Sequence, residues 1–132
     1  MIEYRSDKKI TSEEFIDILK RSTLDRRRPV DDRDRIQLML EHGNVLVTAW
    51  DGDRLVGVSR ALSDFSFCCY LSDLAVDENY QKQGIGKRLI GLTHQVAGEK
   101  TALILLAAPD ASKYYPHIGM ERFTDCFLIR RK

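Results

Sequence analysis

Hydrophobic residues recur along the 132-residue chain with two different periods, which predict helices in some stretches and strands in others. Repeats of three or four residues predict three helices, whose apolar positions lie within residues 15–19, 36–40 and 85–96. Apolar runs rich in β-branched and aromatic residues predict six strands. These strands are expected at residues 2–5, 45–50, 55–62, 67–76, 101–108 and 120–130.

Short local signals mark where several of these elements begin and turn. Thr11 and Glu14 have the spacing of a capping box at the start of the first helix. Asp31 or Asp32 is suited to cap the second helix. The Asp-Gly pair at residues 51–52 predicts a tight hairpin between the second and third strands.

The order of the elements predicts the architecture. Strands 45–50, 55–62 and 67–76 are expected to form an antiparallel meander. The helix between strands 67–76 and 101–108 is a crossover, which places those two strands parallel. Asp110 is expected to cap a short helix after the fifth strand. We therefore predict a single α/β domain over residues 1–132, with a mixed, mostly antiparallel sheet flanked by helices.

The composition argues against several classes of protein. A formal net charge of +1, with 43% hydrophobic and 31% charged residues, is that of an ordinary globular protein and argues against nucleic acid as the main partner. No apolar run approaches the roughly 20 residues of a membrane span, and the N-terminus has no signal-peptide pattern. We therefore expect no membrane partner and a cytoplasmic location.

The three cysteines, Cys68, Cys69 and Cys126, have no Cys-x-x-Cys spacing, and no paired histidines accompany them. We interpret them as reduced and mostly buried apolar residues. The sequence predicts no bound metal.

The stretch between strand 67–76 and the third helix carries the strongest chemical signal. Gly84 and Gly86 stand at the helix start, where a side chain would block close approach to the backbone. The first N–H groups of a helix lack intrahelical acceptors, and the helix dipole is positive there. The sequence therefore predicts a phosphate site, although two glycines also suit a plain turn. Nearby positive charge comes from Lys82, Lys87 and Arg88.

The pattern Gln81-x-x-Gly84-x-Gly86 after a strand resembles the acyl-CoA pyrophosphate loop of the GCN5-related N-acetyltransferase (GNAT) family. A second segment, from Tyr115 to Gly119, is similar to the family's Tyr-x-x-x-Gly-Phe motif, with methionine in place of phenylalanine. The order of predicted elements also matches that family, so the resemblance covers most of the chain. One departure is Ala108, where the family often has an asparagine that contacts the pantetheine arm.

The resemblance implies the acyl-CoA N-acyltransferase fold and acetyl-CoA as co-substrate. In the family, the strand before the loop splays from its neighbour, and its unpaired backbone groups hold the pantetheine arm and the acetyl carbonyl. By resemblance these groups belong to Leu74 and Val76. The pyrophosphate would lie on the loop amides of Gln81, Lys82, Gln83, Gly84, Ile85, Gly86 and Lys87.

Two side chains are candidates for catalysis. By resemblance, Tyr115 is the general acid that protonates the leaving sulfur, and its neighbour Tyr114 is the weaker candidate. Asp73 interrupts an apolar strand and is the candidate base, because burial would raise its pKa. Strict alternation places it opposite Leu74 and Val76, so a structural hydrogen bond is an equal alternative unless a bulge re-aims it.

The resemblance implies an N-acetyltransferase that transfers an acetyl group directly to a primary amine. The alternative is a catalytically degenerate acyl-CoA-binding sensor or interaction module. The acceptor is expected to be a small-molecule or peptide amine, and a second copy of the chain is a candidate partner. The basic triplet 26–28 is interpreted either as a solvated loop or as a cationic rim near an acidic substrate or the cofactor's phosphates.

Overall fold

The computed structural model describes residues 1–132, which form five strands and four α-helices. The strands are β1 (Ile2–Arg5), β2 (Val45–Asp51), β3 (Arg54–Ser63), β4 (Cys68–Val76) and β5 (Ala102–Ile104). The helices are α1 (Ser12–Arg21), α2 (Arg33–His42), α3 (Ile85–Ala97) and the short α4 (Tyr114–His117). Three short 3₁₀ turns, Leu24–Arg27, Glu78–Tyr80 and Pro109–Ala111, complete the regular structure.

The five strands form one sheet in chain order, from β1 at one edge to β5 at the other. All neighbouring strands are antiparallel except β4 and β5, which are parallel and joined by the crossover helix α3. The predicted fold class, a mixed and mostly antiparallel sheet flanked by helices, is therefore confirmed.

Helices cover both faces of the sheet, so the core consists of two parts, one on each face. On one face, α1 and α2 bury Phe15, Leu19 and Ile36 against Trp50 and other sheet residues. On the other face, Ile85 and Leu89 of α3 pack on apolar residues of β2 and β3. Gly57 of β3 permits this approach, because a Cβ there would lie 3.1 Å from a methyl carbon of Leu89.

Several short-range predictions are confirmed at the residue level. Thr11 and Glu14 form both hydrogen bonds of the capping box at the start of α1. Of the two candidate caps for α2, Asp32 is the one that accepts from the backbone, at the N–H of Arg35. The hairpin between β2 and β3 turns at Gly52, whose φ of +59° favours glycine.

Three predictions for the C-terminal part of the chain are wrong. Only residues 102–104 of the predicted strand 101–108 pair with β4, because the chain then diverges from it. Asp110 does not cap a helix; the 3₁₀ turn at Pro109–Ala111 has no side-chain cap. The predicted strand 120–130 is absent, since residues 121–132 are exposed and no neighbouring strand of the chain pairs with them.

The cysteines are free, as predicted, but only Cys69 is buried, and Cys68 and Cys126 are exposed. No helix of the chain combines the length and the apolar character that a membrane crossing requires.

The turn between β3 and β4 depends on one carboxylate and should be sensitive to acid. Asp64 accepts hydrogen bonds from the backbone N–H groups of Phe67, Cys68 and Ser66, which lower its pKa to about 2. A carboxyl group whose pKa is lower in the folded state stabilises the fold above its unfolded pKa, roughly 3.9. This contribution is lost as the pH falls from about 4 through about 2.

We therefore expect Asp64→Asn to lower the thermal midpoint at neutral pH, and the difference from wild type to shrink as the pH falls toward 2. Thermal unfolding followed by circular dichroism across this range measures it. Asp53→Asn, in the exposed hairpin, is the matched control because Asp53 makes no side-chain hydrogen bond, and it should show no such convergence. Parallel curves for wild type and Asp64→Asn would contradict the assignment.

Candidate active site

The sheet opens between β4 and β5. β4 extends over Cys68–Val76, but it pairs with β5 only at Cys68, Cys69 and Tyr70. From Leu71 onward, the edge of β4 that faces away from β3 has no strand beside it. The two parallel strands thus form a wedge that opens toward the start of α3.

The ladder between β3 and β4 shows which backbone groups point into this wedge. The N–H of Asp77 donates to the carbonyl of Val56 at 2.9 Å. Hydrogen-bonded and non-hydrogen-bonded pairs alternate along an antiparallel ladder. In this register, which opposes Val76 to Gly57 and Leu74 to Ser59, Leu74 and Val76 fall at the non-hydrogen-bonded positions. Their N–H and C=O groups therefore face away from β3, into the wedge.

The glycine loop follows directly and is rich in free donors. None of the backbone N–H groups of residues 81–86 donates to another group of the chain. Gly84 precedes α3 in the left-handed conformation, with a φ of +82°, and offers no side chain to cap the helix. A run of free N–H groups at the positive end of a helix is suited to bind an anion such as a pyrophosphate.

The loop is tied to β4 by two contacts. The Gln81 side-chain amide donates to the Val76 carbonyl at 3.1 Å, so one of the wedge-facing carbonyls already has a partner. A methyl carbon of Leu74 lies 3.9 Å from the position that a Cβ on Gly86 would take. The predicted pantetheine strand and the predicted phosphate loop are therefore adjacent in space.

Tyr114 lies closer to the loop than the sequence motif indicated. Its hydroxyl oxygen is 2.8 Å from the position of a Cβ on Gly86, so only glycine fits there without a shift of the tyrosine. Burial raises the pKa of Tyr114, and the backbone N–H of Lys87 acts in the opposite direction. Tyr114 is therefore a wall of the site, a role that motif spacing alone could not reveal.

Tyr115 is half-buried beside it. The two rings meet edge to face, with centroids 5.2 Å apart. Burial, and then the neighbouring Tyr114, raise the pKa of Tyr115. Its hydroxyl is thus protonated at neutral pH, which is the state that a general acid requires.

Asp73 is fully buried and both of its carboxylate oxygens are engaged by arginines. Arg28 contacts one oxygen through Nε, and Arg60 contacts the other through its own Nε. Arg28 also donates to the Ser72 carbonyl at 2.6 Å, and Arg60 to the Met39 carbonyl at 3.1 Å. Neither oxygen is free to take a proton from an incoming amine, so the structural alternative describes Asp73 better than the base.

β4 does contain a bulge, the irregularity that could have turned the Asp73 side chain toward the open edge. Arg60 opposes Asp73 while Ala61 opposes Leu71, so Ser72 is the extra residue. The bulge does not turn Asp73 toward the wedge. Asp73 lies on the face covered by α1 and α2, opposite the face where Leu74 packs against α3 residues.

Two of the basic residues that the sequence analysis singled out make contacts outside the glycine loop. The guanidinium of Arg88 lies 5.8 Å from the centre of the Tyr4 ring on β1, so it is engaged outside the loop. In the basic triplet, Arg26 and Arg27 are exposed, whereas Arg28 is half-buried on Asp73. The sequence did not identify Arg28 and Arg60 as partners of Asp73. No group of three or more potential ligand side chains is arranged to hold a metal ion.

A second buried carboxylate, Asp77, stands where β4 ends. It contacts Arg21 of α1 at 2.6 Å and Arg54 of β3 at 3.3 Å. Burial raises its pKa, but hydrogen bonds from the Asn79 backbone and from these arginines more than offset that and leave the pKa below its usual value. Asp77 is therefore ionised at neutral pH and fixes the end of β4 to α1.

Comparison with known proteins identifies relatives of this chain. A model of the acetyltransferase (GNAT) family matches residues 12–120. The histone acetyltransferase TAP1 of Glycine max is 34% identical over 70 residues, which are 52% of this chain and 30% of that protein. The uncharacterized N-acetyltransferase ycf52 of Porphyra purpurea is 26% identical over 100 residues, 69% of this chain and 56% of its own. The chain thus spans about a third to a half of the length of these relatives.

Solved structures share the fold over the whole chain. A Staphylococcus aureus protein, SA2161, described as a "probable acetyltransferase", superimposes with a TM-score of 0.80 at 23% identity, covering 100% of this chain and 99% of that one. The aminoglycoside N-acetyltransferase AAC(6')-Iy, solved with a CoA bisubstrate analogue, gives a TM-score of 0.76 at 15% identity and covers 100% and 99% of the two chains.

The Asp73 ion pairs predict a large loss of stability in the isosteric variant Asp73→Asn. This substitution leaves two arginines without their shared counter-charge, and breaking a buried pair in this way costs about 3 to 5 kcal/mol. Denaturant unfolding measures the change. Asp17→Asn is the matched control, because Asp17 pairs with Arg21 on the exposed side of α1 and should cost no more than about 0.5 kcal/mol.

The same variant separates the two roles of Asp73. If the role is structural, the folded fraction of Asp73→Asn keeps the wild-type dependence of kcat on pH. A drop of about 10²-fold or more in kcat, with loss of the acidic limb of the pH profile and little change in stability, would instead show a general base.

Proposed function

The chain belongs to the acetyltransferase (GNAT) family, and from that premise we propose that it transfers an acetyl group from acetyl-CoA to a primary amine. One observation supports this most directly. The unpaired edge of β4 and the free N–H groups of residues 81–86 meet at Leu74 and Gly86. An extended thioester arm and a pyrophosphate need these two features side by side.

The proposed binding mode uses backbone groups for nearly every polar contact with the co-substrate. The pyrophosphate lies on the amides of Gln81 to Lys87, where the helix dipole and the free donors of residues 81–86 favour negative charge. The pantetheine arm and the acetyl carbonyl lie along the edge of β4 at Leu74 and Val76. The Ala108 departure removes one side-chain contact of the family, but it leaves these backbone contacts in place.

The proposed reaction is a direct transfer. The neutral amine nitrogen forms a bond to the acetyl carbon and the bond from that carbon to sulfur breaks. The sulfur takes a proton as it leaves, and the nitrogen releases one proton to solvent, so that the products are an amide and a thiol. Holding the two reactants in a productive geometry can supply roughly 7 to 11 kcal/mol of the barrier reduction. A backbone N–H at the wedge that donates to the developing oxyanion would add to this.

We assign the proton donor to Tyr115. Its half-buried hydroxyl makes no hydrogen bond within the chain, so it is free to donate, and its raised pKa keeps it protonated at neutral pH. A phenol with a pKa of about 10 or above does not fully protonate a thiolate whose pKa is about 8.5. Tyr115 therefore acts by stabilising the sulfur as charge develops on it. We assign no base to the incoming amine, because Asp73 is engaged by two arginines.

Gly86→Glu tests the pyrophosphate site. The substitution places bulk against the Tyr114 hydroxyl and a negative charge at the helix start, so we expect acetyl-CoA binding to be abolished. Isothermal titration calorimetry on folded protein measures it. For the wild type, acetyl-CoA at 100 times its Kd should stabilise the fold by about 2.7 kcal/mol.

Gly91→Glu is the matched control, since it adds the same side chain to the same helix at a position where a Cβ meets no atom within 4 Å. It should bind acetyl-CoA with near wild-type affinity. Equal affinity of Gly86→Glu and Gly91→Glu would remove the pyrophosphate assignment. Absence of any acetyl-CoA binding by the wild type would remove both the transferase and the sensor hypotheses.

Tyr115→Phe separates the transferase from a sensor that binds without turnover. The variant keeps the ring but removes the proton, so we expect kcat to fall by about 10² to 10⁴ while acetyl-CoA affinity barely changes. The acceptor is first identified by thiol release from acetyl-CoA across amino acids, polyamines, aminoglycosides and peptides. The pH dependence of kcat is then recorded for both proteins.

Tyr70→Phe is a cleaner control than Tyr114→Phe, because Tyr70 is exposed and makes no side-chain hydrogen bond, whereas the Tyr114 hydroxyl lies against Gly86. Tyr70→Phe should stay within a few-fold of wild type. Full turnover by Tyr115→Phe, with chemistry rate-limiting, would exclude the general acid. Binding without turnover on every amine would favour the sensor.

A further inference from the structure

The glycine loop is attached to the rest of the chain by few contacts. Residues 81–83 make a single hydrogen bond to the rest of the chain, from the Gln81 side chain to the Val76 carbonyl at 3.1 Å. At the far end of the loop, Ile85 is buried as the first residue of α3. The direction of the free N–H groups therefore depends on how the near end is held, and that end is Tyr80.

Tyr80 joins the glycine loop to the hairpin between β2 and β3. Its hydroxyl donates to a carboxylate oxygen of Asp51, the last residue of β2, at 2.6 Å. Its ring packs against the apolar cluster that contains Ile85. The bond to Asp51 is the largest cause of a raised pKa for Tyr80, so the hydroxyl keeps its proton and remains a donor at neutral pH.

A second contact supports the same junction. Arg54, at the start of β3, reaches the Asp77 carboxylate at 3.3 Å. The Asp77 carbonyl in turn accepts from the N–H of Tyr80 at 2.8 Å. The 3₁₀ turn Glu78–Tyr80 is thus attached to the hairpin near both of its ends. The hairpin itself belongs neither to the glycine loop nor to the open edge of β4.

We propose that the Tyr80–Asp51 hydrogen bond positions the glycine loop for the pyrophosphate, which makes Tyr80 and Asp51 positioning residues for acetyl-CoA. This inference rests on the proposed function. A loop that binds through backbone N–H groups needs these groups to point toward one place before the ligand arrives. Without the bond, the loop would hold its binding conformation for a smaller fraction of the time, and the apparent Kd would rise by the inverse of that fraction.

The first test measures the Kd of acetyl-CoA by isothermal titration calorimetry. Tyr80→Phe keeps the ring but removes the donor, and Asp51→Ala removes the acceptor. We expect each variant to raise the Kd about 10-fold, which corresponds to the smaller effects measured for one hydrogen bond to a charged group. The double variant Tyr80→Phe/Asp51→Ala should bind no more weakly than either single variant, because both changes remove the same bond. Asp51→Asn, which retains an acceptor oxygen, should stay within about 3-fold of wild type.

The second test compares two acetyl donors, acetyl-CoA and S-acetylpantetheine, which lacks the pyrophosphate and the nucleotide. In Tyr80→Phe, kcat/KM for acetyl-CoA should fall about 10-fold relative to kcat/KM for S-acetylpantetheine. A general loss of structure would lower both values equally. Tyr4→Phe is the matched control, because Tyr4 packs against the same apolar cluster and its hydroxyl makes no hydrogen bond. It should leave the Kd and the ratio unchanged.

The outcomes decide the proposal. A loss of affinity shared by the single and double variants, and confined to acetyl-CoA, supports it. A wild-type Kd in Tyr80→Phe, losses that multiply in the double variant, or an equal fall in kcat/KM for both donors would each overturn it, while the pyrophosphate site itself would stand. If the wild type binds no acetyl-CoA at all, the proposed function fails together with this inference.

Discussion

The structure depends on β4, a strand whose position must be fixed although one of its edges has no neighbouring strand. Beyond Tyr70, β4 has no neighbour on its outer side, so the backbone groups of Leu74 and Val76 lack the ladder that normally orders a strand. Unpaired backbone groups are costly unless water or a ligand satisfies them. The strand is therefore held by its other edge and by its side chains, which leaves the open edge accessible.

Two buried aspartates supply much of that anchoring. Asp73, within the strand, is bound by Arg28 and Arg60, and Asp77, directly after it, is bound by Arg21 and Arg54. Arg28 directly follows the 3₁₀ turn Leu24–Arg27, Arg21 belongs to α1, and Arg54 and Arg60 belong to β3. Each carboxylate therefore ties the β4 region to β3 and to one further part of the domain. Such pairs contribute little net stability compared with apolar packing, but they fix geometry because breaking one is expensive.

The bulge at Ser72 makes this arrangement compatible with packing on both faces. Cys69 and Leu71 lie with Ala97 of α3, whereas Ala75, after the bulge, lies with the α1 side of the core. Without the extra residue, Leu71 and Asp73 would share a face, and one of them would meet unsuitable surroundings. The bulge thus lets an apolar residue face α3 and a charged one face the arginines, while Leu74 remains beside the glycine loop.

The features that could be predicted from the sequence are those whose determining contacts are short-range. The capping box, the Asp32 cap, the Gly52 turn and the Gly84 start of α3 each rest on residues no more than four apart. The partners of Asp73 could not be identified in this way, because Arg28 is 45 positions away and the chain has many arginines. The apolar strand around Asp73 indicated that this residue is buried. The sequence did not identify the arginines whose charge decides its role.

The adjacent tyrosines show a similar limit at the site itself. Motif spacing selects Tyr115, yet consecutive residues of a helix point about 100° apart, so its neighbour necessarily meets different surroundings. Tyr114 reaches Gly86 because α4 passes the start of α3, a contact that depends on how the whole crossover packs. A motif therefore identifies a single residue, whereas the shape of the candidate site depends on residues that the motif does not include.

The C-terminal segment shows why a correct pattern can still predict the wrong element. Residues 120–130 have the apolar and β-branched composition of a strand, but a strand is defined by its neighbour, and composition carries no information about whether a neighbour is in place. The same holds for residues 101–108, whose apolar run is typical of a buried strand although only residues 102–104 join the sheet. Both stretches therefore place on the surface apolar side chains whose composition is typical of an interior.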